Sequence, residues 1–203
     1  SGSDNGCGSV ILWDPRTWQM VSKVQAHEAA VTSIVDLEDG KHIATGSYDK
    51  KINIVSMSRS QKMQTVSNKA SVTGMVMTSD KQRLVTSGLD KSITVYSIVR
   101  KNGVVDSIVG ERVITNEELV CQLQPSLLRP EIVFCAGRDG TLRVMNILTG
   151  LVEKSYTVNA ISLIELVAIE REMSPDSPIL VSCSCKDSSL VSTKMESGLS
   201  NLV

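Results

Sequence analysis

The sequence predicts an all-β fold, a β-propeller made of repeated four-stranded blades. One unit recurs along the 203 residues: a short strand, a small-residue turn with Asp, and an alternating strand. Hairpin turn signals stand before or after these units. Only 3% of the residues are aromatic, so Val, Ile, Leu and Met must fill the core, and the β-branched residues among them suit strands. Four short strands at a period of roughly 40–50 residues are typical of a propeller blade.

The repeated unit occurs five times. Its last residues, Trp13, Val55, Tyr96, Met145 and Thr193, are 42, 41, 49 and 48 residues apart. In four copies an Asp stands six residues before that position: Asp49, Asp90, Asp139 and Asp187. The copies read SGSDNGCGSVILW (1–13), IATGSYDKKINIV (43–55), LVTSGLDKSITVY (84–96), VFCAGRDGTLRVM (133–145) and LVSCSCKDSSLVST (180–193).

Turn signals place the other two strands of each blade. Alternating apolar residues run into Asp39-Gly40 before the second copy, and ASVTGMVMTSDKQ precedes the third copy in the same way. Asn102-Gly103 follows Tyr96, and Thr149-Gly150 follows Met145. The long segment 99–119 between the third and fourth copies predicts an extended outer hairpin.

Several of these motifs resemble the WD-repeat β-propeller family over nearly the whole chain. They are Trp13-Asp14, Ala26-His27, Gly46-Ser47-Tyr48-Asp49 and Gly88-Leu89-Asp90. Only one unit keeps the Trp-Asp pair and only one keeps the His. The resemblance implies a buried hydrogen-bonded set of His27, Ser47 (or Thr45) and Asp49, in which Val55 replaces the Trp. It implies structural roles at the equivalent positions of the other copies, which are Trp13, Asp90, Asp139 and Asp187.

We expect one propeller domain over residues 1–203, with a partial blade at 1–25 and blades at about 26–66, 67–110, 111–157 and 158–203. Blades bury their faces only against neighbouring blades, so these four and a half blades predict part of a larger propeller. The resemblance implies seven blades in all. The alternative is a small closed ring in which a C-terminal strand completes the first blade.

Composition excludes several classes of function. The net charge of -1 and the few aromatic residues give no basis for nucleic-acid binding. No apolar run is long enough for a membrane helix, and the N-terminus shows no signal-peptide pattern. Five scattered cysteines do not form a disulfide framework, which predicts a reducing compartment, the cytoplasm or the nucleus.

The sequence predicts neither an enzyme nor a cofactor or metal site. The turn aspartates fall one per blade, so each is expected to cap its own turn and not to share a metal ion. His27 and His42 are the only histidines, and no nucleophile recurs at a catalytic spacing from either. Cys183 and Cys185 lack the second pair of ligands that zinc requires.

The function that remains is a protein–protein interaction scaffold. The resemblance implies docking on the face that carries the turns between second and third strands, where the variable residues are Tyr48, Leu89, Arg138 and Lys186. Exposed Tyr, Leu and Arg beside a turn suit binding, although each could instead cover the neighbouring blade. The partners would be proteins, peptides or other domains of a longer chain. The alternative function is a substrate-recruiting or regulatory module of a multi-subunit or multidomain enzyme, such as a ubiquitin ligase or kinase assembly.

Two further features carry hypotheses. The segment EREMSPDSPI (170–179) contains two Ser-Pro pairs, so Ser174 and Ser177 are candidate phosphorylation sites or ordinary loop residues. Trp18 stands at a hairpin tip, where we expect it to pack under its own blade or to bind a partner.

Overall fold

The computed structural model describes residues 8–157 throughout, and the backbone of strands at 163–169, 179–184 and 190–194. These residues form seventeen strands. In chain order they are β1 (Ser9–Trp13), β2 (Met20–Gln25), β3 (Val31–Asp36), β4 (His42–Ser47), β5 (Lys51–Ser56), β6 (Gln61–Ser67), β7 (Val72–Met77), β8 (Arg83–Gly88), β9 (Ser92–Lys101), β10 (Val104–Thr115), β11 (Val120–Pro125), β12 (Ile132–Gly137), β13 (Thr141–Asn146), β14 (Leu151–Thr157), β15 (Leu163–Ile169), β16 (Ile179–Ser184) and β17 (Leu190–Lys194).

The strands form five antiparallel sheets whose members follow one another along the chain. The sheets are β1-β2, β3 to β6, β7 to β10, β11 to β14, and β15 to β17. Three described sheets therefore have the four strands of a complete blade, and the predicted all-β propeller is confirmed. No helix long and apolar enough to cross a membrane occurs among the described residues.

The predicted turn residues lie between consecutive strands of the same sheet. Asn102 and Gly103 join β9 to β10 with φ values of 52° and 78°. Positive φ at both residues matches the twist of the flanking strands, and Asn-Gly tolerates that conformation best. Gly40 and Gly150 also have positive φ, 70° and 78°, in the predicted turns after β3 and β13.

The hydrophobic core lies between successive sheets. Between the second and third sheets, Leu37 and Ile54 pack with Met75, Leu84 and Ile108 of the next blade. A second cluster joins the third sheet to the fourth; it contains Val85, Ile93, Val95, Leu123, Val133 and Met145. The second, third and fourth sheets thus bury apolar faces against one another, which is the packing that a blade architecture requires.

Hydrogen bonds from the innermost strands connect the same neighbours. The hydroxyl of Thr32 in β3 donates to the carbonyl of Val72 in β7 at 2.9 Å. Thr73, the equivalent residue of β7, lies 3.4 Å from the carbonyl oxygen of Val120 in β11. The first strands of consecutive blades therefore lie side by side.

The third blade carries the long hairpin that the sequence predicts. β10 has 12 residues and continues past residue 110, the expected limit of that blade, to Thr115. Two register shifts, between Val105 and Ser107 and between Gly110 and Arg112, lengthen β10 relative to β9. Such bulges bend a strand and raise its twist, and β10 is the edge strand of its sheet.

Candidate interaction surface

Three equivalent turns define one face of the described blades. They join the second and third strands at 48–50, 89–91 and 138–140. Each is held against the link that enters its own blade by one backbone hydrogen bond. The bonds run from Tyr48 N to Ala30 O (3.2 Å), from Leu89 N to Ser71 O (3.0 Å) and from Arg138 N to Leu119 O (2.8 Å). We call this surface, the three turns with the links 26–30, 68–71 and 116–119, the turn face.

An Asp carboxylate closes each of these turns. In each case the carboxylate accepts the backbone N–H two residues further along, the local use of Asp expected in a tight turn. The residue after each Asp takes positive φ: 65° at Lys50, 65° at Lys91 and 75° at Gly140. The three bonds are Lys51 N to Asp49 (2.9 Å), Ser92 N to Asp90 (3.1 Å) and Thr141 N to Asp139 (3.1 Å).

His27 forms a buried polar set in the second blade. The residue is 3% exposed, with Nδ1 3.0 Å from Asp49 Oδ2 and Nε2 2.9 Å from the hydroxyl oxygen of Thr45. The hydroxyl in this set therefore belongs to Thr45. Ser47 instead donates to the carbonyl of Ala29 at 3.2 Å and accepts the N–H of Asp49.

Burial and the neighbouring groups shift the pKa of Asp49 in opposite directions. Burial raises the pKa of this carboxyl, but the N–H of Glu28 and the ring of His27 lower it more. The net result is a pKa below the ordinary value, so Asp49 is ionised at neutral pH. The set supports the turn, since Asp49 both contacts His27 and accepts the N–H of Lys51 within the turn.

Asn residues take the position of His27 in the next two blades. Asn68 and Asn116 stand four residues before the start of β7 and β11, as His27 does before β3. Asn68 accepts the phenolic O–H of Tyr96 at 2.9 Å, and Asn116 donates to the carbonyl of Glu118 at 2.8 Å. Burial raises the pKa of Tyr96 to about 12, so its phenol stays a donor. The sequence signal for Asn68 and Asn116 is their spacing of four residues from the next strand, which they share with His27.

In the fourth blade a buried Arg supports the turn. Arg143 is 6% exposed and donates to both oxygens of Asp139, with Nη1 at 3.2 Å from Oδ1. The sequence signal was an Arg between two core residues of an apolar strand. Beside it lies Cys135, whose pKa burial raises to about 12, so the thiol is protonated and unreactive at neutral pH.

The outer residues of the three turns point into solvent. Tyr48 is 50% exposed, Leu89 is 51% exposed, and Arg138 is exposed. Within the described part of the chain, the Tyr48 hydroxyl and the Arg138 guanidinium form no hydrogen bond or ion pair. The repeat places these three side chains on one face, at the same position of successive blades.

The other predicted residues are placed as follows. Trp13 ends β1 and is 47% exposed, while Trp18 is 78% exposed at the hairpin tip and does not pack under its blade. Lys186, Asp187, Ser174 and Ser177 lie outside the described residues. In the described segments, no three His, Cys, Asp or Glu side chains are grouped so that they could hold a metal ion.

Comparisons with known proteins agree with this architecture. The family model described as "WD domain, G-beta repeat" matches residues 18–56 and 60–97. Among solved structures, the β-propeller domain of Cps50 (Swd1) from Myceliophteria thermophila superposes with a TM-score of 0.76 at 13% sequence identity. The match covers 99% of this chain and 66% of that one, so the chain spans about two-thirds of the propeller that it resembles. No curated protein sequence matches the chain.

Proposed function

We propose that this β-propeller chain, whose residues 18–56 and 60–97 match the WD-repeat model, is a non-enzymatic protein–protein interaction scaffold that binds its partners on the turn face. The observation that carries this proposal is the row of Tyr48, Leu89 and Arg138. These side chains are large and exposed, and they stand on turns whose backbones are fixed. Tyr and Arg are enriched among the residues that dominate binding energy at protein interfaces.

The mechanism is docking onto a rigid surface. The Asp-capped turns and the buried sets beneath them hold the backbone before a partner arrives, so little conformational entropy is lost there on binding. A partner that spans several turns contacts several blades at once. The free energy then comes from many small contacts, and no covalent bond forms or breaks.

A double variant, Tyr48→Ala with Arg138→Ala, tests this function in the full-length protein. We expect it to lose partners that co-purify with the wild type, as measured by quantitative mass spectrometry after affinity capture. Its melting temperature should change by no more than a few degrees, because neither side chain makes a polar contact within the described residues.

The matched control is Arg59→Ala with Met63→Ala, an exposed cation and a 47% exposed hydrophobic residue beyond the turn face. This control should retain the same partners. Equal capture by wild type and the Tyr48/Arg138 variant would contradict the proposal. So would equal loss in the two variants.

A further inference from the structure

A polar cavity of about 300 Å³ lies beside the turn face, between the first sheet and the second. Its wall combines the link after β2 with strands β5 and β6. Ala26, His27 and Asn53 are buried members of this wall, whereas Lys62 and Thr65 are exposed on its β6 side. The volume is at the lower end of the range for ligand sites, which suits a group of a few heavy atoms.

The side-chain amide of Asn53 is only half satisfied. Asn53 is 1% exposed, and its Nδ2 donates to the carbonyl of Ala26 at 2.6 Å. Its Oδ1 is also buried, but it has no hydrogen-bond partner among the described residues. A buried acceptor without a donor is costly, so this oxygen points to a ligand that carries an N–H or O–H group.

Two donor groups of the same wall are also unengaged. Thr65 lies directly opposite Asn53 in the pairing of β5 with β6, so the two side chains are on one face of the sheet. Lys62 lies three residues before Thr65 on β6 and lines the same cavity. Within the described part of the chain, neither the Thr65 hydroxyl nor the Lys62 ammonium forms a hydrogen bond or an ion pair.

The formal charges of the wall balance, so a net charge on the ligand is not favoured. Lys51 pairs with Glu28 at 3.2 Å. Asp49 contacts His27 and accepts the N–H groups of Glu28 and Lys51. With Lys62, the wall has two lysines and two carboxylates.

The unbonded oxygen distinguishes the second blade from the next two. Asn53, Thr94 and Arg143 stand four residues after the turn Asp of their blades. Arg143 binds its own turn Asp, whereas the Asp of the second blade is bound by His27. Of these three described positions, only Asn53 has a buried polar atom without a partner.

We propose that this cavity receives a primary carboxamide, the side chain of a glutamine or asparagine of the partner. The NH₂ of that group donates to Asn53 Oδ1, and its carbonyl oxygen accepts a hydrogen bond from Thr65 or Lys62. A carboxylate has no donor for Asn53, and an ammonium has no acceptor for Lys62. An apolar side chain would leave all three groups unbonded. The inference rests on the proposed docking at the turn face, whose first link and first turn supply part of the wall.

The first test uses propionamide, which reproduces the glutamine side chain, on the isotope-labelled full-length protein. We expect saturable chemical-shift changes at the Asn53 side-chain NH₂ and the Thr65 amide. The dissociation constant should be on the order of 10 mM, because a ligand with so few atoms makes few contacts. Propionate, propylammonium and propanol are similar in size and should cause no saturable change at these signals. Equal affinity for any of these three would overturn the carboxamide.

The double variant Lys62→Met, Thr65→Val removes both donors from an exposed strand and leaves the structural bond of Asn53 to Ala26 intact. Each lost hydrogen bond changes an equilibrium constant by about two- to tenfold, so the dissociation constant of propionamide should rise about tenfold.

The matched control, Lys23→Met with Ser67→Ala, removes an exposed ammonium and an exposed hydroxyl that do not line the cavity. It should bind propionamide within about twofold of the wild type. Equal binding by the two double variants would overturn the site. Thermal melts confirm that each variant is folded.

Acetylated tripeptides Ala-X-Ala with methylamide ends test the source of the carboxamide, because only the side chain of X can then be a primary amide. Peptides with Gln or Asn at X should bind, and those with Glu or Leu should not. Free glutamine carries two further charges and should bind no more tightly than propionamide. Free glutamine that binds about tenfold more tightly than the tripeptides would overturn a partner side chain as the source.

The outcomes separate this inference from the proposed function. Loss of partner capture in the Tyr48/Arg138 variant without any binding of propionamide would overturn the inference and leave the docking face in place. Full capture by that variant together with propionamide binding would overturn the docking face, and with it the partner as the source of the carboxamide.

Discussion

At the scale of single residues, the buried polar side chains beneath the turn face find their hydrogen-bond partners in three different ways. His27 contacts Asp49 and Thr45 in the second blade, and Arg143 binds Asp139 in the fourth. In the third blade, Asn68 accepts the phenol of Tyr96. A buried polar group left without a partner costs about 1–3 kcal/mol, so each substitution in one blade needs a compensating one nearby. A buried polar side chain recurs beneath the turn face, whereas its identity and its partners differ from blade to blade.

Thr45→Val tests the His27 set. The change keeps the shape of the side chain but leaves His27 Nε2 without the oxygen 2.9 Å away. We expect the free energy of unfolding to fall by about 1–3 kcal/mol, measured by urea titration. Thr65→Val, on an exposed residue of β6, is the matched control and should change it by no more than about 0.5 kcal/mol. Equal effects of the two variants would contradict this role for Thr45.

Asp39 links the second blade to the third on the surface opposite the turn face. Its buried carboxylate accepts the N–H of Val105 at 2.9 Å and lies 2.7 Å from His42 Nδ1. Burial raises the pKa of Asp39, but these contacts and the N–H groups of Lys41 and His42 lower it more. The net pKa lies well below the ordinary value, so the carboxylate is charged at neutral pH.

Asp39→Asn should therefore destabilise the protein in a pH-dependent way. At pH 7 we expect a loss of about 1.5–3 kcal/mol, the range for hydrogen bonds to charged groups. Because the folded pKa is lowered, this stabilisation is complete above the unfolded value of about 3.9 and declines as pH falls below it. The difference in unfolding free energy between wild type and variant should narrow from pH 7 to pH 2. A constant difference would contradict the account; Asp36→Asn, on an exposed carboxylate, is the control.

Some residues of the turn face are predictable from the sequence and others are not. The repeat spacing was enough to place Tyr48, Leu89 and Arg138 at equivalent turns. It could not choose between Thr45 and Ser47, because residues two apart on a strand point to the same side and only the path of the His27 ring decides. The sequence did not predict the ion pair between Arg143 and Asp139 for a similar reason. The pair depends on a side chain that folds back across a turn.

At the scale of elements, the β9–β10 hairpin of the third blade forms hydrogen bonds with both neighbouring blades. Gln64 of β6 donates to the carbonyl of Ile108 at 3.0 Å and accepts its N–H at 2.8 Å. Arg112 donates to the carbonyl of Thr149 in the fourth blade at 3.0 Å. The amide of Gln64 thus bonds both backbone groups of one β10 residue, much as a neighbouring strand would.

Gln64→Ala should loosen this connection. Two hydrogen bonds are lost at a half-buried position, for which we expect about 1–2 kcal/mol of destabilisation. Hydrogen exchange at the Ile108 amide should speed up, while exchange in β12 and β13 should follow only the global change. Gln61→Ala, on an exposed residue of the same strand, should leave the Ile108 amide unaffected. Unchanged exchange at Ile108 in the Gln64 variant would contradict the role of this side chain.

The elements themselves were largely predictable. Asn102-Gly103 and the length of segment 99–119 indicated an extended hairpin, and the structure confirms it. The two register shifts in β10 had no clear signal, because a bulge reflects how one strand fits another and leaves the apolar pattern nearly intact. The bridge from Gln64 to Ile108 joins residues of different blades, which periodicity within one blade cannot reveal.

At the scale of the whole molecule, successive described blades present the same turn on one face. Two core clusters lie between sheets, so the second, third and fourth blades are positioned by one another. The three outward residues of the turns are consequently held in fixed relation to one another. The spacing of the repeat was enough to predict the fold class, whereas the partner has no comparable signal in the sequence.

Hydrogen exchange with mass spectrometry on the full-length protein, free and bound to a captured partner, tests the docking surface most directly. We predict that binding slows exchange in peptides that cover 48–50, 89–91 and 138–140, on more than one blade. Exchange in the turns of the opposite surface, at 37–41, 78–82 and 126–131, should stay unchanged. Protection confined to those opposite turns or to the outer strands β6, β10 and β14 would contradict the account.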